Sequence, residues 1–335
     1  MFYDEGQALH RSSIVIDAVC PLALESFEYL EWYREGGVST LAPTVGALGG
    51  VRETMAMIAK WRRVLADRDD LAAVRTVQDI VDAKAADKLG VYFHFQGIEP
   101  FEGDLNLAEI YKILGVGMVQ LAYNVKNRVG DGCEERTDAG LSAFGLKLIE
   151  RLNDNKIIVD CSHTGLRTSL EAVEASRDPV VLSHSNVASV HPSRRNVADE
   201  LIDAVAKSGG VIGIVGFPAM VSCDLAPTLD QFINHVDAIA SRVGIEHVAL
   251  GLDYYAGQAG VASYADAKQQ YDKFVEAGLW GPTYPPPPHN YPAGIETPKT
   301  LANLTVRLLD RGYCETEVRQ VLGGNWMRVM QQVWG

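Results

Sequence analysis

Eight short, β-branched apolar runs, set apart by stretches of helical periodicity, constrain this chain more than any other feature. They lie at 13–18 (SIVIDA), 38–45 (VSTLAPTV), 89–96 (LGVYFHFQ), 116–123 (VGMVQLAY), 156–163 (KIIVDCSH), 180–184 (VVLSH), 210–216 (GVIGIVG) and 248–253 (VALGLD). Helical spacing marks segments between them, among them 141–153, 167–176, 199–208 and Leu229–Val243. Several runs are apolar at every position, as in parallel strands covered on both faces. Strand–helix alternation with eight strands predicts an α/β protein of the (β/α)8 TIM-barrel type with C-terminal helices. A doubly wound open sheet is the competing architecture. No GxGxxG or GxxxxGK[ST] follows the first run, which weakens it. A single barrel domain is expected to take up the whole chain, 1–335, a length such barrels reach as one unit.

Charge narrows the partners. Acidic residues number 43 against 30 basic ones, for a net charge of −13. Phosphate backbones need a basic footprint, so no nucleic-acid partner is expected, and no polybasic membrane anchor either. No apolar run approaches the roughly 20 residues of a spanning helix. The first residues, MFYDEGQALHRSS, carry acids where a signal peptide would carry bases, so a cytoplasmic location is expected. The five cysteines are scattered without a CxxC, which suggests neither a disulfide framework nor a cysteine zinc knot. Segment 281–298 holds seven prolines and cannot be helix or central strand. It suits a stiff loop over a barrel mouth. Thr297 and Pro298 read as a helix start, and the tail 315–335 reads as helix interrupted at Gly323-Gly324-Asn325.

Active sites of such barrels lie at the C-terminal ends of the strands, so polar residues that close apolar runs matter most. The fifth run ends in Asp160-Cys161-Ser162-His163 and the sixth in Leu182-Ser183-His184-Ser185. Two histidines closing consecutive strands can converge on one metal ion. The eighth run ends at Asp253, a carboxylate placed to bind metal, to shuttle a proton or merely to cap a helix. In the third run His94 and Gln96 share one strand face. Arg195, in a loop after the sixth run, can grip a carboxylate. Tyr123 and Asn124 precede a turn-rich loop, and Tyr255 and His289 can add a wall or lid. Aromatic residues around a small cavity can also receive a cationic group.

At these residues the sequence resembles the membrane (renal) dipeptidase family of the amidohydrolase superfamily. The stretches that carry it are GLSAFGLKLIERLN, IIVDCSH, VVLSHSNVASVHPSRRNV, VALGLDYYAG and LANLTVRLLDRGYCETEVRQVLGGNWMRV. The resemblance implies a (β/α)8 barrel, often a homodimer, with a binuclear zinc site that hydrolyses dipeptides, some with a D-residue at the C-terminal side. It places His163 and His184 on the second zinc, Arg195 on the substrate carboxylate and Asp253 as the catalytic aspartate. The first strand should end in His-x-Asp, but Val19 and Pro21 stand there. The bridging glutamate is replaced by Gln96 and the carbonyl-polarising histidine by Tyr123. These departures mark a divergent subgroup in which His163 and His184 hold at most one zinc ion. The function expected is cleavage of an amide bond in a dipeptide or amino-acid derivative. Asp253 and Tyr123 would be catalytic, with Arg195, Gln96, Asn124, Tyr255 and His289 around the substrate. The alternative is a non-catalytic or metal-independent barrel that binds a small amino-acid derivative.

Overall fold

The computed structural model describes residues 2–335. Each of the eight apolar runs contains a strand, and the strands close into a barrel. In order they are Ile16–Asp17; Thr40–Leu41 continued by Thr44–Gly46; Leu89–Val91 continued by Phe93–Phe95; Val116–Gln120; Ile158–Asp160; Val180–Val181; Ile212–Ile214; and Val248–Leu250. Neighbours pair in parallel from first to sixth. A Leu182–Ile212 bridge joins the sixth strand to the seventh, which pairs with the eighth. The ring closes where Ala18 N donates to Leu250 O (3.3 Å) and Asp253 N donates to Val19 O (3.2 Å). A further short strand, Leu71–Ala73, pairs with the start of the third. The second strand breaks at Pro43, which has no N–H for the ladder.

Side-chain alternation divides the interior from the helix-facing side. Phe93, Phe95, Val119 and Val159 face outward into the layer shared with the helices. Tyr92, Met118, Ile158 and Val181 belong to a separate inner cluster. Further along the same inward faces come His94 and Gln96, Gln120, Asp160 and Ser183, so the barrel core turns polar toward the ends where a site is expected. The floor is sealed by the last helix, Asn325–Trp334. Trp326 Nε1 donates to Leu250 O (2.9 Å) and Trp334 Nε1 to Gly117 O (3.1 Å).

The helices follow the sequence periodicity closely. Ala143–Asp154, Leu166–Ala175, Asp199–Lys207 and Leu229–Val243 occupy the segments expected. Thr228 and Gln231 form a reciprocal capping box at the last of these. Two expectations need correction. Thr297 sits at a helix start but makes no side-chain cap, and Pro298–Thr300 is a 3₁₀ turn that leads into Ala302–Asp310. The tail does not stop at its glycines either: Gln320–Gly324 is a π-helical turn between Glu315–Arg319 and the final helix. Gly323 lies against the Ile14 carbonyl, where a Cβ would be only 2.5 Å away, so the wider turn brings the helix onto the first strand. Among the described residues no helix is long and apolar enough to cross a membrane.

Asp17 is fully buried in the first strand. Its Oδ1 accepts from Leu252 N (2.8 Å), while Oδ2 has no partner among the described residues. Burial pushes its carboxyl up to about 7. The folded state therefore keeps a proton that the unfolded chain sheds near pH 4, and stability falls as pH rises from about 4 to about 7. Asp17→Asn should remove its share of that slope, of the order of 4 kcal/mol between the two limits, and leave the part that Asp253, raised to about 8, contributes in the same direction, read from urea denaturation across pH.

Candidate active site

His163 and His184 close the fifth and sixth strands, and their rings converge. Their Nε2 atoms lie 2.8 Å apart. The outer nitrogens fix the tautomers. Asn124 Nδ2 donates to the Leu279 carbonyl (2.9 Å), which turns Oδ1 toward His163 Nδ1 at 2.7 Å. That Nδ1 must carry the hydrogen. His184 Nδ1 lies 2.7 Å from Ser183 Oγ, whose own hydrogen goes to Asp160 Oδ2. His184 Nδ1 is therefore protonated too. Both Nε2 atoms then present lone pairs to one point, relieved only by a weak approach of Gln96 Nε2 to His184 Nε2 (3.3 Å). Burial holds both imidazoles well below their usual pKa, so both are neutral at pH 7. Such a pair repels unless a proton or a cation sits between the nitrogens.

The support beneath is ionic. Burial opposes the charge of Asp160. Even so, His94 at 3.3 Å and Ser183, with backbone N–H bonds from Ser162 and Ser183 (2.9 Å each), hold its carboxyl down at about 2. His94 thus points into the barrel below the site, as Gln96 does above it. Gly213 and Gly251 leave room for the Ser183 carbonyl, into which a Cβ at either position would run. Asn124, His163 and Asp253 all have left-handed backbones (φ 60°, 61° and 58°). Strain of about 1–3 kcal/mol at each is the kind that concentrates at functional positions.

Asp253 lies three residues beyond the end of the eighth strand. Burial is the main cause that raises its carboxyl to about 8, with Arg195 drawing it down and Asp17 pushing it up. Arg195 is 2% exposed, and no carboxylate among the described residues comes within 4.0 Å of it. Its Nε donates to the Tyr284 hydroxyl (3.0 Å) and Nη2 to the His184 carbonyl (3.2 Å), which leaves donors unused. A buried guanidinium without a counter-ion is costly and suits an anionic ligand.

Two cavities meet at His163. One, of about 160 Å³, is lined by Pro21, Gln96, Tyr123, Asp253, Tyr255 and Trp280 among others. The second, of about 350 Å³, is lined by Cys133, Arg136, Arg194 and Arg195. Tyr123 stacks on the His163 ring (centroids 4.3 Å apart), and burial pushes its phenol up to about 12. Asn124 stands behind His163 and His289 behind Tyr255, whose hydroxyl bonds His289 Nδ1. Neither lines the small cavity. Trp280, Tyr284, Ser183 and Asp160 were not singled out from the sequence as site residues. Asp160 and Ser183 stood in the strand-end motifs, and Trp280 and Tyr284 bracket the start of the proline-rich stretch.

The donor set decides which metal centre fits. Among the described residues no three His, Cys, Asp or Glu side chains form a ligand cluster. A binuclear centre does not fit. Val19 is fully buried, and Pro21 gives the small cavity an apolar wall where a ligand would stand. Cys20 does not replace them, because its thiol is buried and bonds the Asp17 carbonyl (3.4 Å). The paired Nε2 lone pairs would offer one ion two protein ligands, where catalytic zinc usually has three, and the rings would have to part slightly to hold it.

Known proteins share this architecture. A crystal structure of an amidohydrolase from Pseudomonas aeruginosa is 33% identical, with a TM-score of 0.89 over 98% of this chain and 99% of that one. A metallopeptidase from Rhodobacter sphaeroides, solved with a phosphinate mimic of the dipeptide L-Ala-D-Ala, shares the fold at 19% identity and a TM-score of 0.79, covering 96% of this chain and all of that one (100%). Dipeptidase aclJ of Aspergillus oryzae is 27% identical across 71% of this chain and 50% of its own length. Dipeptidase 3 of Macaca fascicularis is 24% identical across 84% of this chain and 52% of its own. The chain thus spans about half the length of these curated relatives. The sequence pattern described as membrane dipeptidase (peptidase family M19) matches residues 7–277 and 288–334 and leaves 278–287 between. With that match, the barrel and the strand-end motifs together, the chain belongs to the membrane dipeptidase family, peptidase family M19.

Proposed function

We propose that this protein is a dipeptidase-like hydrolase that cleaves the amide bond of a small, carboxylate-bearing dipeptide or amino-acid derivative, with at most one zinc ion at His163 and His184. The observation that carries this reading is the convergence of two hydrogen-free imidazole nitrogens between two cavities, one of which holds a buried guanidinium with no counter-ion. Bound between the imidazoles, the ion would supply Lewis-acid activation. The rest of the chemistry falls to the chain. Arg195 grips the substrate carboxylate in the larger cavity, which places the amino-terminal residue in the smaller one beside Asp253. Asp253, ionised, accepts a proton from the attacking water and returns it to the leaving amine. The Tyr123 hydroxyl and the Gln96 amide hydrogen-bond the oxygen that gains charge at the scissile carbonyl. Burial keeps the Tyr123 phenol protonated, as a donor must be. Asn124 and Ser183 hold the two imidazoles in the tautomers described above.

The competing reading is a barrel that binds an amino-acid derivative without turning it over. The replacement of ligand positions by Val19 and Pro21 favours it. Elemental analysis and dipeptide assays separate the two. The hydrolase should carry no more than one zinc per chain, lose its turnover with chelator and regain it with added zinc. Protein that binds substrate yet turns over nothing with zinc restored rejects hydrolysis.

Asp253 gives an independent readout. A base whose carboxyl sits at about 8 is mostly protonated at pH 7, so kcat should rise as pH climbs through about 8. In Asp253→Asn that limb should vanish and kcat should drop by about 10²–10⁴-fold with KM little changed. A pH profile and Michaelis parameters for both proteins check this.

A further inference from the structure

Residues 278–287 lie outside the family pattern, yet they bond Asn124, Arg195 and Tyr123 of the site. The Leu279 carbonyl accepts the Asn124 amide that orients His163. The Tyr284 hydroxyl meets Asn124 Nδ2 (3.1 Å) and Arg195 Nε (3.0 Å), so it ties the guanidinium to the same amide. Trp280 Nε1 donates to the Tyr123 hydroxyl (3.2 Å). The indole itself is clamped between Phe274 and Tyr284, with both centroids 4.7 Å away and the rings within 14° and 8° of parallel. Trp280 is therefore a fixed wall of the small cavity, not a side chain free to swing aside. Pro21 and Phe217 also line that cavity.

We propose that segment 278–287 is the specificity element of this enzyme, restricting the group in the small cavity to a short amino-terminal residue of glycine, alanine or serine size. The inference rests on the dipeptide reading above, because Arg195 lines the larger cavity and so directs the carboxylate end there. The small cavity, about 160 Å³ against about 350 Å³, then takes the amino-terminal residue. The larger and more open cavity leaves the carboxyl-terminal residue far less restricted. Tyr284 acts differently from Trp280: it is a positioning residue that holds Arg195 and Asn124, and its effect falls on all substrates alike.

The test uses full-length protein loaded with zinc and phosphinate dipeptide mimics with a constant alanine-like carboxyl-terminal half. The amino-terminal half runs from glycine through alanine and leucine to phenylalanine, and calorimetry reads binding whether or not turnover occurs. Wild-type protein should prefer the glycine and alanine mimics over the leucine and phenylalanine ones by at least about tenfold. Trp280→Ala should erase most of that ratio. Trp280→Leu, a milder change, should reduce it partway and serves if the alanine variant does not fold. Tyr284→Phe should keep the ratio and weaken every mimic together by about 10–150-fold, the loss of a hydrogen bond to a charged group. A wild-type protein that binds all mimics equally, or a folded Trp280 variant with an unchanged ratio, overturns the specificity element and leaves the dipeptide reading standing. A folded, zinc-loaded wild-type protein that binds no mimic overturns both.

Discussion

The site depends on a single run of hydrogen bonds that begins at a buried anion. Asp160 is ionised inside the barrel because two backbone N–H groups, Ser183 and His94 all point at it. Its charge orients the Ser183 hydroxyl, the hydroxyl fixes the hydrogen of His184 on Nδ1, and the opposite nitrogen is left bare. Asn124 does the same for His163 from the other side. Each ring is thus turned toward the other by what lies behind it. Without these partners either ring could carry its hydrogen on Nε2 and donate it to the other, and the two bare nitrogens would be lost.

The sequence showed most of the scaffold because strand periodicity and helix periodicity are local signals. Every apolar run became a strand, and Leu229–Val243 keeps the bounds that its spacing suggested. His163, His184 and Asp253 were legible because a barrel sends the residues that follow its strands to a common mouth, and Arg195 because the resemblance marked its loop. What could not be read was which side chains stand between cavity and support. Asn124 meets Leu279 across 155 positions of sequence, and no local pattern signals that contact. The same holds for Tyr284 on Arg195. The π-helical turn at Gln320–Gly324 escaped for another reason. Paired glycines read as a stop, whereas here they serve a close approach to the first strand.

The departures from the family pattern are mutually consistent in space. Three of the four replaced residues, Pro21, Tyr123 and Gln96, face the same small cavity, while Val19 is buried behind it. Aromatic rings from Trp280 and Tyr284 close that cavity from above. The chamber they share is lined by more apolar than polar surface, with the Asp253 and Glu25 carboxylates in its wall.

The helix that seals the barrel floor also dictates when the protein can finish folding. Trp326 and Trp334 plug an interior whose other walls are made earlier in synthesis, and the first strand is completed only by hydrogen bonds from the eighth. A growing chain must therefore hold a nearly complete, unplugged barrel until residues 248–334 emerge. Contacts so distant in sequence form slowly, and the apolar inner faces stay open to solvent meanwhile. The nascent polypeptide is thus most exposed to misassociation in the interval before that stopper is made.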